Sequence, residues 1–163
     1  MKFVSEEVID QVIEQLESYA DEQYEKRMTA FAEAQPVVVA WLFSEQFELL
    51  SEDEKGYLQY LALIAWSANE QVNGPLGAVS EEEIGQAEEA NYALLESSAA
   101  QDFRDRLDAF FDGTDQEDLL AFAEEAVLEE EEEDEVLITK EGREPIFIAL
   151  KTLVDVLTAE TEG

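Results

Sequence analysis

Ser51-Glu52-Asp53-Glu54-Lys55-Gly56-Tyr57-Leu58-Gln59-Tyr60-Leu61-Ala62-Leu63-Ile64-Ala65-Trp66 is the stretch on which the fold turns. It opens with Ser and, three residues on, Glu, a pairing in which the Ser side chain accepts from the third helical N–H and the Glu reaches back to the Ser N–H. Acids fill the first turn, where the partial positive charge of a helix end favours them. Tyr57, Leu58, Tyr60, Leu61, Leu63, Ile64 and Trp66 then leave almost no polar face, so this helix is predicted to be surrounded by others. It ends before the turn Asn73-Gly74-Pro75-Leu76-Gly77.

The helices that surround it are read outward from there. Ser5 is the expected N-cap of a first helix that carries Val8, Ile9, Val12, Ile13, Leu16 and Tyr19 on one face and runs to about Glu33, with Lys26 and Arg27 towards its end. Pro36 suits the first turn of a second helix, Val37 to Phe43, apolar almost all round and so expected at the centre. The Ser/Thr-x-x-Glu pattern recurs at Ser80 with Glu83 and Thr114 with Glu117. The helix after Ser80 is a thin amphipath on Ile84, Ala87, Asn91, Leu94 and Leu95. A shorter one spans about Gln101 to Asp112, with Asp102–Arg106 and Arg104–Asp108 as i,i+4 ion pairs and Gly113 as its stop. The helix after Thr114 carries Leu119, Leu120, Phe122, Ala123, Ala126, Val127 and Leu128, and a last apolar helix runs from about Arg143 through Pro145 to Thr158. The prediction is an all-α, single-domain bundle or orthogonal array of about seven helices over residues 1–163, three apolar and central, four acidic and peripheral.

Two short echoes lie in the chain. Ser51 to Gly56 resembles Ser80 to Gly85, each with Gly at the fifth position after the cap, and Gln35-Pro36-Val37-Val38-Val39-Ala40 resembles Glu144-Pro145-Ile146-Phe147-Ile148-Ala149. A true repeat would mean stacked helical hairpins. The offsets differ, and convergent need explains both echoes: Pro suits a first helical turn, and Gly permits close helix approach.

Composition narrows the chemistry. Leu, Ile, Val and Phe supply 46 of 163 residues, enough for a folded core. No stretch reaches the 18 or so apolar residues of a membrane span, and Met1 to Glu7 turns acidic where a secretory signal would be apolar, so a soluble, cytoplasmic protein is expected. The chain has no Cys and no His, which removes thiolate, disulfide, imidazole and Ser-His-Asp chemistry and the Glu-x-x-His of di-iron bundles. With 42 acidic against 9 basic residues and a net charge of -33, direct binding to nucleic acid or an anionic membrane is disfavoured, and a basic partner or a salt-rich setting is favoured.

The acidic tract Glu129, Glu130, Glu131, Glu132, Glu133, Asp134, Glu135 stands out. Like charges at i,i+4 oppose helix formation, so the tract is read first as a solvated linker, with a contact for a basic partner as the second reading and a loose divalent-cation site as the third. Asp108 to Asp115 imitates a calcium loop, with Gly113 at position six, but Phe110 falls at three and Leu119 at twelve, where a bidentate Glu is required. Trp41, Tyr57, Tyr60 and Trp66 read as core or helix-interface residues. For acid–base catalysis a carboxyl raised by burial is needed, and Glu45, Glu48 and Asp155 are the acids set among apolar residues. Each reads better as the polar edge of a helix. No catalytic residue, metal ligand or cofactor is predicted. The expected role is a non-catalytic, acidic interaction or regulatory protein for a basic partner, with mimicry of a nucleic-acid backbone as one form, since i,i+4 carboxylates rise about 6 Å. The alternatives are adaptation to high salt, although Glu outnumbers Asp 31 to 11, and, ranked lower, a carboxylate enzyme. A homodimer through Val37–Phe43 or Ile146–Leu157 would have to overcome the charge on each chain.

Overall fold

In the computed structural model, residues 2–97, 103–128 and 139–158 are described, and among them the chain forms helices and no strand. In chain order these are α1 Glu6–Glu17, α2 Asp21–Ala34, α3 Pro36–Leu42, a 3-10 turn at Glu45–Phe47, α4 Glu52–Asn73, α5 Glu81–Ser97, α6 Phe103–Asp112, α7 Glu117–Leu128 and α8 Lys140–Thr158. One hydrophobic cluster draws residues from all of these elements.

The predicted first helix is two. Ser5 caps α1 as expected, its Oγ accepting from Val8 N–H at 3.3 Å. The helix stops at Glu17 because Ser18 turns its hydroxyl back to Gln15 O, and Ala20 goes extended at φ -69°, ψ 160°. Gln23 Oε1 then accepts from Ala20 N–H, restarting the chain as α2. Lys26 and Arg27 therefore lie within α2 and not near the end of one long helix. Arg27 is engaged sideways: its guanidinium sits 4.3 Å from the centroid of the Trp66 ring, donates to Ser67 Oγ and pairs with Glu70 at 3.3 Å.

Of the three helices expected at the centre, α4 and α8 each bury many residues and pack against several others. The 22-residue α4 is about 33 Å long. It packs against α1 and α8, and α8 packs in turn against α5 and α7. Trp66 is buried and stacks on Phe31 with centroids 5.1 Å apart, while Phe147 of α8 meets Phe103 and Phe110 of α6 edge to face. The helix α3 is the exception. It has only seven residues, buries Val38 and Leu42, and leaves Pro36 and Ala40 in solvent, because two turns bounded by Pro36 and Ser44 cannot be enclosed on every side.

The capping predictions divide. Ser51 and Glu54 bond in both directions, at 3.0 and 3.1 Å. Ser80 Oγ accepts from Glu83 N–H. Thr114 does not cap α7; its Oγ1 takes Gln116 N–H two residues on, and α7 starts at Glu117. The helix α8 starts a turn earlier than predicted because Thr139 Oγ1 accepts from Gly142 N–H, so Pro145 falls in the second turn. Both expected ion pairs of α6 involve a side chain outside the described residues. Arg106 instead donates to Leu95 O, tying α6 to the end of α5.

Glu54 serves two helices at once. The residue is 3% exposed, and its carboxylate accepts from Ser51 N–H on Oε1 and from Thr139 N–H and Thr139 Oγ1 on Oε2, each at 3.0–3.1 Å. Burial pushes this carboxyl up, but the bonds from Ser51 and Thr139 outweigh it and hold the group below its ordinary value. The close approach expected of glycine occurs here, at Gly142, where a Cβ would collide with Glu54 Oε2. At Gly56 and Gly85, where the sequence suggested it, a Cβ would meet nothing within 4 Å.

Candidate functional site

The junction between α2 and α3 borders a concavity between α3 and α5. Gln35, fully buried ahead of Pro36, is held out of helical geometry at φ -132°, ψ 65°, as a residue preceding proline tends to be. Its side chain acts as a stretch of backbone: Nε2 donates to Gly77 O at 2.9 Å and Oε1 accepts from Val79 N–H at 2.8 Å. This clamp fixes the segment leading into α5 against the start of α3, and residues of both helices line a groove.

The groove has a volume of about 550 Å³. Pro36, Val37, Ala40 and Trp41 of α3 face Ile84 and Gly85 of α5, and Glu81 and Glu88 stand along the α5 side. Trp41 is half-buried, and its ring meets Phe47 edge to face at 5.3 Å, which fixes its orientation on the groove wall. Gln46 closes one end by donating to Glu88 at 2.6 Å. The lining combines apolar side chains with the carboxylates of Glu81 and Glu88, and among the described residues no Lys or Arg lines it.

A second concavity of about 460 Å³ is lined by the Phe43–Glu48 stretch and the start of α4, including Phe43, Phe47, Glu48, Glu52, Gly56 and Lys55, the last paired with Glu52. The ridge between the two carries Phe43 at 66% and Leu49 at 99% exposure, among exposed Glu45, Glu48 and Glu52. Acid-rimmed apolar surface is thus gathered around one short segment, residues 36–50 with the starts of α4 and α5.

Of the residues singled out from sequence, Trp41 lines the groove, Glu45 and Glu48 lie on the segment beside it, and the others fall elsewhere. Glu129 to Glu135 lie outside the described residues. Glu45 and Glu48 are exposed on the 3-10 turn. Asp155 pairs with Lys151 on α8 and accepts from Asn91 Nδ2 at 2.9 Å, and Asn91 also donates to the buried Thr152 Oγ1. This network sets α5 against α8. The one buried carboxylate among the described residues is Glu54, lowered rather than raised, which suits a fixed hydrogen-bond acceptor and not a general acid. Among the described residues no group of three or more acids is arranged to hold a metal ion, and no helix is long and apolar enough to cross a membrane.

Sequence reading missed the groove because it sent α3 to the centre. Two signals pointed the other way: only seven residues separate Gln35 from Phe43, and Phe43-Ser44-Glu45 turns polar at once. In comparisons with protein-family models, curated proteins and solved structures, nothing matches the chain.

Proposed function

We propose that this protein is a non-catalytic binding protein for a basic partner, whose acidic surface draws the partner in and whose α3–α5 groove holds it. The observation that carries the reading is the make-up of that groove: Val37, Trp41 and Ile84 line it together with Glu81 and Glu88, and no Lys or Arg among the described residues does. Apolar contact supplies the larger part of such affinity, and charge supplies approach rate and discrimination against acidic competitors. With -33 on the chain, the attraction reaches a partner well before contact at low salt. Glu129 to Glu135 would add to that long-range field. In its sharper form, the acid rows take the place of a phosphate backbone for a nucleic-acid-binding protein.

The test is titration of the isotope-labelled full chain with a cationic amphipathic peptide. The two indole N–H resonances serve as reporters, Trp41 in the groove and buried Trp66 as the internal control. Binding should move Trp41, leave Trp66 in place, and weaken steeply between 0.05 and 0.5 M KCl, as the screening length falls from about 14 Å to about 4 Å. A peptide that leaves Trp41 unmoved, or binds with no salt dependence, refutes the reading.

A further inference from the structure

Gly85 is a residue the fold does not use. Glycine is the least favoured residue inside a helix after proline, so a glycine in mid-helix asks for a cause. The ordinary causes are a positive φ or a neighbour too close to allow a Cβ. Among the glycines described, only Gly74 has a positive φ, and a Cβ on Gly85 would meet nothing within 4 Å. Gly85 lines the α3–α5 groove, and so does exposed Ala40 of α3, so two of its lining residues offer little or no side chain. Glu81 and Glu88 stand four residues before and three after Gly85, one turn to either side on the same face of α5, and about 10 Å apart along its axis.

We infer that the groove receives one cationic amphipathic helix of a partner protein, whose backbone crosses α5 in close contact at Gly85. This rests on the function proposed above and specifies its occupant. A helix fits the spacing: two Lys or Arg seven residues apart are also about 10 Å apart, matching Glu81 and Glu88, and a small residue between them meets Gly85. Trp41 and Ile84 then take the apolar side chains next to that crossing. A second copy of this chain would bring another -33 to the same acidic rim, so the occupant is a different protein.

The experiment uses the full chain and a helical peptide of about 14 residues with Lys at two positions seven apart, Ala between them and Leu on the same face. Gly85→Ala fills the space that the inference leaves to the partner while improving the helix. The expected result is a melting temperature raised by about 2–4 °C together with affinity lowered about tenfold in 0.1 M KCl. Glu81→Gln with Glu88→Gln should lower affinity and flatten its salt dependence while Trp41 still shifts. If the peptide shifts Trp41 but binds Gly85→Ala as well as the parent chain, the close crossing is wrong and the groove reading survives. If Gly85→Ala melts no higher than the parent, the fold does use the glycine and the inference fails on stability alone. If the peptide binds without moving Trp41, both the crossing and the proposed function are overturned.

Discussion

Replacing Glu54 by Gln keeps the shape of the side chain and removes its charge. The amide oxygen can still accept from Ser51 N–H, but the amide nitrogen then faces Thr139 N–H, donor against donor, where Oε2 now accepts at 3.1 Å. The Thr139 hydroxyl can turn away, since it already accepts from Gly142 N–H, but a backbone N–H cannot. One stranded donor and the lost charge assistance on the Ser51 bond together cost about 1.5–3 kcal/mol. For a chain of 163 residues this is a fall of about 3–12 °C in melting temperature. Urea unfolding of both proteins, followed by far-ultraviolet circular dichroism, measures the cost at pH 7. The pH dependence follows from the lowered carboxyl: its contribution is complete above the unfolded value of about 4.3 and is lost as pH falls through the lower folded value. The gap between parent and E54Q should therefore be widest at neutral pH and close on acidification, the other carboxylates cancelling in the difference. A gap under about 0.5 kcal/mol at pH 7, or one that persists unchanged at pH 2, refutes the double-cap account.

Gly142→Ala should destabilise by about 1–3 kcal/mol because its Cβ meets Glu54 Oε2, and in a double-mutant cycle part of that cost should vanish in the Glu54→Ala background. Asn91→Ala removes the donor shared by Thr152 and Asp155 and should cost about 1–3 kcal/mol in urea unfolding, with α5 the first helix to lose amide protection. A thermal melt in 0.1 M and then 2 M KCl separates function from habitat, because the screening length falls from about 10 Å to below about 3 Å. The proposed function predicts a folded chain at 0.1 M with a modest gain at 2 M. A chain unfolded at 0.1 M and firm at 2 M would assign the acidity to salt adaptation.

Periodicity and capping made much of the architecture legible in advance. An apolar run with a reciprocal Ser51–Glu54 cap specifies a buried helix wherever its partners lie, since both signals are local. The lack of Cys and His likewise removed whole chemistries before any fold was known. The α1–α2 break was harder to read, because Ser18 and Ala20 are compatible with helix, and a Ser hydroxyl turned to Gln15 together with the Gln23 cap interrupts it.

What only the tertiary structure decided are the contacts between residues far apart in sequence. Gln35 and Gln116 carry no local signal of burial, yet each is buried and bonds backbone of a distant segment: Gln35 the stretch before α5, Gln116 both Val4 N–H and Lys2 O. Glu54 reads as the cap of its own helix, and only the arrival of Thr139, 85 residues on, makes it the cap of two. The groove is of the same kind. Short-range pattern determines which residues are apolar and helical, because a side chain's rotamers, its helix propensity and its nearest neighbours are set within a turn or two. Whether an apolar face is covered depends on which helix is left to cover it, and α3, too short to be enclosed, keeps Trp41 and Val37 open beside the carboxylates of α5.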